Sequence, residues 1–187
     1  MNKIAYKNSA KTKIFSINKD FSFCPPPEIS IIKGFNGSGK STLLRYIYQK
    51  NPCIYLPEEL ELPQEMKQKQ ILKIFGSNKV EKKYLDIIHK IKVQDNHFKR
   101  LSKGNKQKLR LKCILIQAIS QNTELLLLDE PFSGLDKPSK KATEDTIAEI
   151  SQNRKNLKIA IITHDNWEKN VGEIITITKS EINIEKT

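Results

Sequence analysis

The sequence predicts an α/β fold with a mainly parallel sheet. Short apolar runs typical of buried strands alternate with longer segments of helical periodicity along most of the chain. In addition, a glycine-rich turn connects one such strand directly to a helix. This order is typical of strands joined by crossover helices. Ligands of such sheets bind at the carboxyl ends of the strands, so candidate functional residues are expected directly after strands.

The elements are predicted in chain order. Strands are expected within residues 1–23, at 28–33, 53–56, 123–130 and 157–164, and as a closing hairpin at 173–178 and 181–185. Helices are expected from the glycine-rich turn to near Pro52, at 64–75 and 78–92, after Ser102 as N-cap, and at 138–152 with Pro138 in the first turn. In the 78–92 segment one face is apolar, formed by Val80, Tyr84, Ile87, Ile88 and Ile91.

The length of 187 residues predicts one domain, 1–187, in which residues 59–100 form a largely helical insert. The three prolines at 25–27 predict a rigid break, since proline cannot donate a ladder hydrogen bond. No apolar run approaches the roughly 20 residues that span a bilayer, and residues 1–15 lack the apolar core of a secretion signal. We therefore expect a cytoplasmic protein.

The cysteine content and the net charge bear on whether the protein is held by disulfides or zinc and whether it binds nucleic acid or lipid. The three cysteines (Cys24, Cys53 and Cys113) are odd in number and form no CxxC pair, which argues against a disulfide framework or a zinc site. The formal charge of +12 comes mostly from lysines spread along the chain and often interleaved with glutamate. A solvated surface is the preferred interpretation, and a nucleic-acid or anionic-lipid surface is the alternative.

Residues 34–42 match the phosphate-loop pattern G-x-x-x-x-G-K-[ST] between a strand and a helix. Glycines allow a tight turn in which backbone N–H groups face phosphates, and the helix presents its positive N-terminus to the same anion. We expect Lys40 to reach the terminal phosphates and Ser41 to ligate Mg²⁺. The full set of predicted nucleotide contacts in this loop is Gly34, Phe35, Asn36, Gly37, Ser38, Gly39, Lys40, Ser41 and Thr42.

Two acidic residues and a capped helix supply the other candidate groups. Asp129 and Glu130 follow the apolar run 125–128, where one carboxylate can hold the Mg²⁺ hydration shell and the other can polarise a water. Ser102 and Gly104, within residues 101–107, open a helix whose N-terminus is a ready anion site. One chain already has a phosphate loop, so a second anion site has no use within it. The second site would have a use if two subunits face each other and each supplies this segment to the nucleotide of the other.

With these motifs the sequence resembles the ATP-binding cassette (ABC) family over residues 14–178. Residues 34–42 are similar to the Walker A loop of a P-loop NTPase core, 101–107 to the signature segment, and 125–131 to the Walker B strand with Glu130 as catalytic glutamate. Residues 133–136 resemble the D-loop, which makes Asp136 its aspartate. His164 follows an apolar strand, as the switch histidine of the family does.

The resemblance implies an ATPase with ATP and Mg²⁺ as ligands. Lys40, Glu130 and His164 would be catalytic, and Ser41 and Asp129 would hold the metal. Two subunits, identical or different, would form a head-to-tail dimer in which Ser102, Gly104, Asn105 and Asp136 of one chain meet the nucleotide of the other. The dimer would lie on the inner face of a membrane and drive a membrane-spanning permease on another chain, which the insert would contact. The string 101–109 is similar to signatures of export systems, so export is weakly preferred.

Three features depart from the family pattern. Glu58 stands where the family has a metal-contacting glutamine, and a carboxylate can still ligate Mg²⁺ or a water. Asn105 stands in the signature where glutamine is commoner. The segment 42–58 is short, which predicts a reduced antiparallel β-subdomain. For the adenine-stacking aromatic, Tyr6 is the candidate and Phe15 the runner-up, although either ring would serve equally well in a core.

Two alternatives to a transporter subunit remain. A soluble ABC ATPase that acts on nucleic acid or ribosomes would use the positive charge, yet the chain has one cassette, no long coiled-coil insert and no zinc cysteines. A small-molecule kinase with a phosphate loop leaves the signature, the D-loop and His164 without a role.

Overall fold

The computed structural model describes residues 28–167, 169–178 and 182–187, and the backbone of 4–9 and 12–17. Within these ranges the strands are β1 (Ile4–Ser9), β2 (Thr12–Ile17), β3 (Ile29–Lys33), β4 (Ile54–Leu56), β5 (Leu125–Asp129), β6 (Lys158–Ile162), β7 (Val171–Ile177) and β8 (Ile182–Lys186). The helices are α1 (Lys40–Lys50), α2 (Gln68–Ile74), α3 (Lys82–Ile88), α4 (Lys103–Ser120) and α5 (Lys137–Asn153), with short 3₁₀ turns at Ser77–Lys79 and Phe98–Arg100. The predicted break at 25–27 and Cys24 lie outside the described residues.

A six-stranded sheet has the order β4-β5-β6-β3-β7-β8. All neighbours pair in parallel except β7 and β8, which form the predicted closing hairpin. The strands β1 and β2 form a separate antiparallel pair, and only residues 51–53 separate α1 from β4. The predicted α/β fold with a mainly parallel sheet and a reduced β-subdomain is confirmed.

The helices of the insert are shorter than the sequence predicts. The helix expected at 64–75 begins at Gln68, because the Gln70 side-chain oxygen accepts the Lys67 N–H at 2.9 Å and so caps the start of the helix. It ends before Gly76, whose φ of 93° is left-handed. The helix expected at 78–92 begins only at Lys82, after the 3₁₀ turn. Its predicted apolar face is nevertheless buried in full: Val80, Tyr84, Ile87, Ile88 and Ile91.

The core lies on both faces of the sheet, because the central parallel strands bury side chains on both sides. On one face α1 packs against Leu127 through its buried leucines Leu43 and Leu44. On the other face α4, α5 and the insert pack around Leu126 and Leu128. The strand period of two therefore puts Asp129, two residues after Leu127, on the face that α1 covers.

Two observations bear on the expectations from composition. Among the residues that the structure describes, no helix is both long enough and apolar enough to cross a bilayer. Cys53 and Cys113 are free thiols. Burial raises the pKa of both thiols, that of Cys53 to about 11, so neither is a thiolate at neutral pH.

Candidate active site

The carboxyl ends of β4, β5 and β6 and the start of α1 enclose an open cleft of about 470 Å³. Four separate segments of the chain meet here. The glycine-rich loop contributes residues 36–37 and 39–42, the strand ends contribute Asp129 and Glu130, and Glu58 and His164 complete the lining with Ser133 and Ile162. The structure thus brings together the residues predicted for phosphate binding, metal binding and catalysis.

The loop geometry depends on two of its glycines. Gly34 lies so close to the end of β7 that a Cβ atom there would be 2.4 Å from the Ile177 carbonyl oxygen. Gly39 has a φ of 105° and is the N-cap of α1, a conformation that a side chain would strain. The N-terminus of α1 carries no acidic residue in its first turn, so its free N–H groups remain available to an anion.

Lys40 is buried at the start of α1. Its ammonium donates hydrogen bonds to two carbonyl oxygens of the loop, Gly34 O at 2.8 Å and Phe35 O at 3.2 Å. The loop backbone therefore holds the Lys40 ammonium close to the N-terminus of α1.

Asp129 ends β5 as a buried carboxylate with a partner at each oxygen. The Ser41 hydroxyl donates to Oδ1 at 3.2 Å, and the Tyr55 hydroxyl donates to Oδ2 at 3.1 Å. Burial, together with the charge of Asp129, raises the pKa of Tyr55 to about 12, so this phenol is a proton donor at neutral pH. Tyr55 is a site residue that the sequence analysis missed.

The oxygen donors in the cleft fit a small hard cation. Mg²⁺ prefers oxygen ligands and is commonly held by one or two protein groups together with substrate phosphates. Ser41 Oγ and Asp129 Oδ1 lie side by side at the base of the loop, and Glu58 adds a carboxylate to the cleft lining. Within the described ranges no group of three or more His, Cys, Asp or Glu residues is placed to hold a metal ion.

Glu130 has a left-handed backbone, with a φ of 47°. Such strain in a residue other than glycine persists only where surrounding contacts enforce it. Here the Glu130 N–H donates to Ile162 O at 3.0 Å, and the buried Gln107 amide donates to Glu130 O at 3.4 Å and to Pro131 O at 3.3 Å. These bonds hold the backbone turn that directs the carboxylate.

The Glu130 carboxylate faces His164 across the cleft, with 3.4 Å between Oε1 and Nε2. Burial raises the pKa of Glu130, the nearby Asp129 carboxylate adds to this effect, and His164 opposes it. Apart from the imidazole, Oε1 is a buried oxygen that has no hydrogen-bond partner in the described structure. A water beside Oε1 would supply that partner, as a general base requires.

The signature residues lie at the N-terminus of α4, outside the cleft lining. Ser102 is the predicted N-cap, since its hydroxyl accepts the Asn105 N–H at 3.3 Å and the Asn105 side-chain amide at 3.0 Å. The Asn105 side-chain oxygen in turn accepts the Gln94 N–H at 3.2 Å. A Cβ on Gly104 would lie 2.9 Å from the Gly134 carbonyl oxygen, so the signature packs against the turn at 133–136 of its own chain.

The remaining predicted residues have different positions. Asp136 is the N-cap of α5, where its carboxylate accepts the Ser139 N–H at 2.7 Å, and this hydrogen bond lowers its pKa. Tyr6 and Phe15 are Cα partners across the β1–β2 pair, and their side chains lie outside the described part of the chain. Phe35 is an exposed ring of the glycine-rich loop.

A phosphate loop, a buried aspartate and a facing carboxylate–imidazole pair on a parallel sheet define a nucleotide-binding P-loop domain. The ABC transporter family model matches residues 19–133, and the chain belongs to the ABC transporter family. The predicted family is confirmed.

Comparison with individual proteins agrees with this assignment. The chain is 29% identical to an uncharacterized ABC transporter ATP-binding protein of Methanocaldococcus jannaschii over 82% of this chain and 65% of that protein. It is 30% identical to the zinc import ATP-binding protein ZnuC of Buchnera aphidicola over 80% of this chain and 68% of that protein. For three of the curated relatives that it matches, the chain spans between just over half and about two thirds of the relative's length.

The fold also matches a solved structure, the dimeric post-hydrolysis state of an ATP-binding cassette bound to ADP and Pi. The TM-score is 0.71, with 17% identity, over 99% of this chain and 96% of that chain. This likeness shows that the chain has the cassette fold.

Proposed function

We propose that the chain is the ATP-binding and ATP-hydrolysing subunit of an ABC transporter, with Mg²⁺ as its cofactor. The observation that carries the proposal is the meeting of Lys40, Asp129, Glu130 and His164 in one cleft at the carboxyl ends of the parallel strands. Family membership supplies the class, and the cleft supplies a role for each of these side chains.

Phosphate binding rests on the loop and on Lys40. The backbone N–H groups at the start of α1 and the positive end of that helix would hold the phosphates. The Lys40 ammonium, now shared between the Gly34 and Phe35 carbonyls, would exchange one of these acceptors for a phosphate oxygen. A charge-assisted hydrogen bond of this kind is about twice as strong as a neutral one.

Metal binding rests on Ser41 and Asp129, whose oxygens lie side by side, with Glu58 as a further oxygen donor at the cleft. Mg²⁺ in this position would neutralise charge that develops on the β- and γ-phosphate oxygens. The Asp129 carboxylate would contact the ion directly or through a water of its hydration shell.

Hydrolysis rests on the pair Glu130 and His164. The Glu130 carboxylate, whose buried Oε1 has no hydrogen-bond partner in the described structure, would accept a hydrogen bond from the attacking water and orient it. The exposed His164 ring, 3.4 Å from that oxygen, would donate to the γ-phosphate. The hydrogen bond that the Glu130 N–H donates to Ile162 O and the one that Glu130 O accepts from the Gln107 amide keep the carboxylate in this position.

A second cassette would complete the site. Ser102, Gly104 and Asn105 form an anion-binding helix N-terminus that lies outside the cleft of their own chain. A head-to-tail dimer, of identical or different chains, would bring them to the nucleotide of the partner, with Asp136 at the interface. The cassette bound to ADP and Pi to which this chain is similar is itself dimeric.

The proposed membrane partner is a permease on another chain. This chain would form a single domain, 1–187, and would contact the permease through its insert at residues 59–100. This assembly would lie on the inner face of a membrane. The relatives named as ABC transporter ATP-binding proteins support a transport role. The preference for export stays a prediction, and three relatives are named as import proteins, two for zinc and one for aliphatic sulfonates.

The assembly is tested by a pull-down from detergent-solubilised membranes of the source cell. Glu130→Gln protein with ATP is the bait, and Lys40→Ala protein with ATP is the matched control that should not bind nucleotide. We expect the first bait alone to recover a multi-spanning membrane protein. Recovery of only soluble proteins or nucleic acid would overturn the transport role and leave the ATPase chemistry standing.

A further inference from the structure

Tyr55 contacts the candidate metal-binding aspartate from a strand that carries none of the recognised motifs. It lies in β4, which pairs in parallel with β5 so that Tyr55 is opposite Leu127. Ile54 and Leu56 face the side of the sheet that α4 and α5 cover, and Tyr55 packs with Leu127 on the side that α1 covers. Because side chains alternate along a strand, Asp129 shares that side, and the Tyr55 hydroxyl reaches Asp129 Oδ2 at 3.1 Å.

We propose that Tyr55 is a positioning residue for Mg²⁺ binding, whose hydroxyl fixes the Asp129 carboxylate with Oδ1 turned toward Ser41 and the cleft. This inference rests on the proposed function of the site. A phenol can only donate to a carboxylate, so the bond occupies Oδ2 and leaves Oδ1 for the metal or its hydration shell. The terminal torsion of an aspartate is otherwise broad, and a freely turning carboxylate would offer the metal a poorly defined ligand.

The surroundings of Tyr55 keep its hydroxyl in place. The ring is half-buried and packs against Tyr48 of α1, with centroids 5.5 Å apart and planes tilted by 41°. Arg45, also of α1, interacts electrostatically with the same hydroxyl. The Tyr55 hydroxyl therefore belongs to a strand, β4, whose side chain packs against a helix, α1, and it does not depend on a loop. Hydrogen bonds to metal-ligating carboxylates typically change metal affinity 10- to 100-fold when removed.

The test is Tyr55→Phe, which removes the hydroxyl and keeps the ring against Tyr48. Tyr48→Phe is the matched control, since it removes an exposed hydroxyl from the neighbouring ring. Two quantities are measured for each protein. The first is the affinity for a non-hydrolysable ATP analogue in EDTA, and the second is the affinity for Mn²⁺ in the presence of that analogue, followed by electron paramagnetic resonance.

We expect Tyr55→Phe to bind the metal about 10-fold more weakly, to bind the analogue in EDTA as the wild type does, and to melt within a few degrees of it. Unchanged metal affinity would overturn the positioning role. An equal loss of affinity in EDTA and with metal would overturn it too, because it would indicate general disruption of the site. If the wild-type protein binds no nucleotide at all, the proposed function itself fails, and that outcome is distinct from a failure confined to Tyr55.

Discussion

Glu130 Oε1 lies 3.4 Å from His164 Nε2, and these two side chains come from the ends of neighbouring parallel strands. The Glu130 backbone reaches this position at a φ of 47°, which an ordinary residue adopts only when its neighbours enforce it. The hydrogen bond from Glu130 N–H to Ile162 O ties the strained turn to β6, the strand that His164 follows. The geometry of the pair is therefore set by the sheet.

Replacement of Glu130 by glutamine should separate nucleotide binding from turnover. The amide side chain would retain the size of the carboxylate and lose the basic oxygen, so we expect ATP affinity near that of the wild type and a turnover about 10² to 10⁴ times lower. Phosphate release measures turnover, and light scattering during gel filtration measures mass. The variant should run as a dimer with ATP and as a monomer without it.

The matched control for this variant is Glu124→Gln. Glu124 is an exposed carboxylate just before β5, so the same change of charge occurs away from the cleft. We expect the turnover of this control to equal that of the wild type. A Glu130→Gln protein that hydrolyses ATP at the wild-type rate would show that Glu130 is not the base.

Replacement of Lys40 by alanine should abolish tight ATP binding. The ammonium is the buried cation of the loop, and the loss of charge-assisted bonds worth about 1.5–3 kcal/mol each should weaken ATP binding by about 100-fold. Lys50→Ala, an exposed lysine in the last turn of the same helix, is the control. Equilibrium binding of a fluorescent ATP analogue gives both affinities, and an affinity unchanged by Lys40→Ala would refute the phosphate-loop assignment.

The order of elements could be predicted from sequence because the buried strands are continuous apolar runs and the glycine-rich loop marks a strand-to-helix turn. The ends of the insert helices could not. They depend on local caps, such as the Gln70 side chain on Lys67 and the left-handed Gly76, which compete with the apolar period of the segment.

The candidate site was predictable where the contributing residues sit in a recognisable string. Tyr55 was not, because its contact with Asp129 depends on β4 lying next to β5, and strand order is a tertiary property that spacing along the chain does not encode. The capping role of Asp136 and the burial of Lys112 were missed for a related reason. An aspartate before a helix and a lysine in a basic sequence each fit more than one environment.

A methyl group on Gly104 should weaken dimer formation more than it weakens nucleotide binding. The new Cβ would lie 2.9 Å from Gly134 O, so the start of α4 or the turn at 133–136 must shift. If the monomer relaxes by this shift, the dimer has to restore the original arrangement at a cost of about 1–3 kcal/mol, which corresponds to an ATP-bound dimer about 5- to 150-fold weaker. Gly104 lies outside the cleft and only Ser133 of that turn lines it, so the ATP affinity of the monomer should change much less than the affinity of the dimer.

The effect of Gly104→Ala on dimer formation is measured in the Glu130→Gln background, where the dimer is expected to accumulate with ATP. The parent variant with Gly104 intact is the control for the dimer, and the fluorescent analogue reports binding to the monomer. If the Gly104→Ala protein dimerises as readily as its parent, the signature segment does not form the interface in the way proposed.

Lys112 should make the stability of the protein depend on pH in the alkaline range. Its side chain is 2% exposed in α4, and the ammonium donates to Ile91 O at 3.3 Å. Burial, with a smaller contribution from Lys92, lowers the pKa of Lys112 from 10.5 to about 8. Between these values the unfolded chain binds a proton that the native chain lacks, so the free energy of unfolding should rise as pH increases from about 8 to 10.5.

Lys112→Met tests this by removing the titrating group while it keeps an unbranched side chain. Each pKa unit is worth about 1.36 kcal/mol, so the wild-type free energy of unfolding should gain roughly 3 kcal/mol relative to the variant across that window. Denaturant unfolding at several pH values measures the difference. The exposed Lys69→Met variant controls for the loss of one positive charge and should follow the wild type. A Lys112→Met curve that stays parallel to the wild-type curve from pH 8 to 10.5 would show that Lys112 keeps its ordinary proton affinity despite its burial.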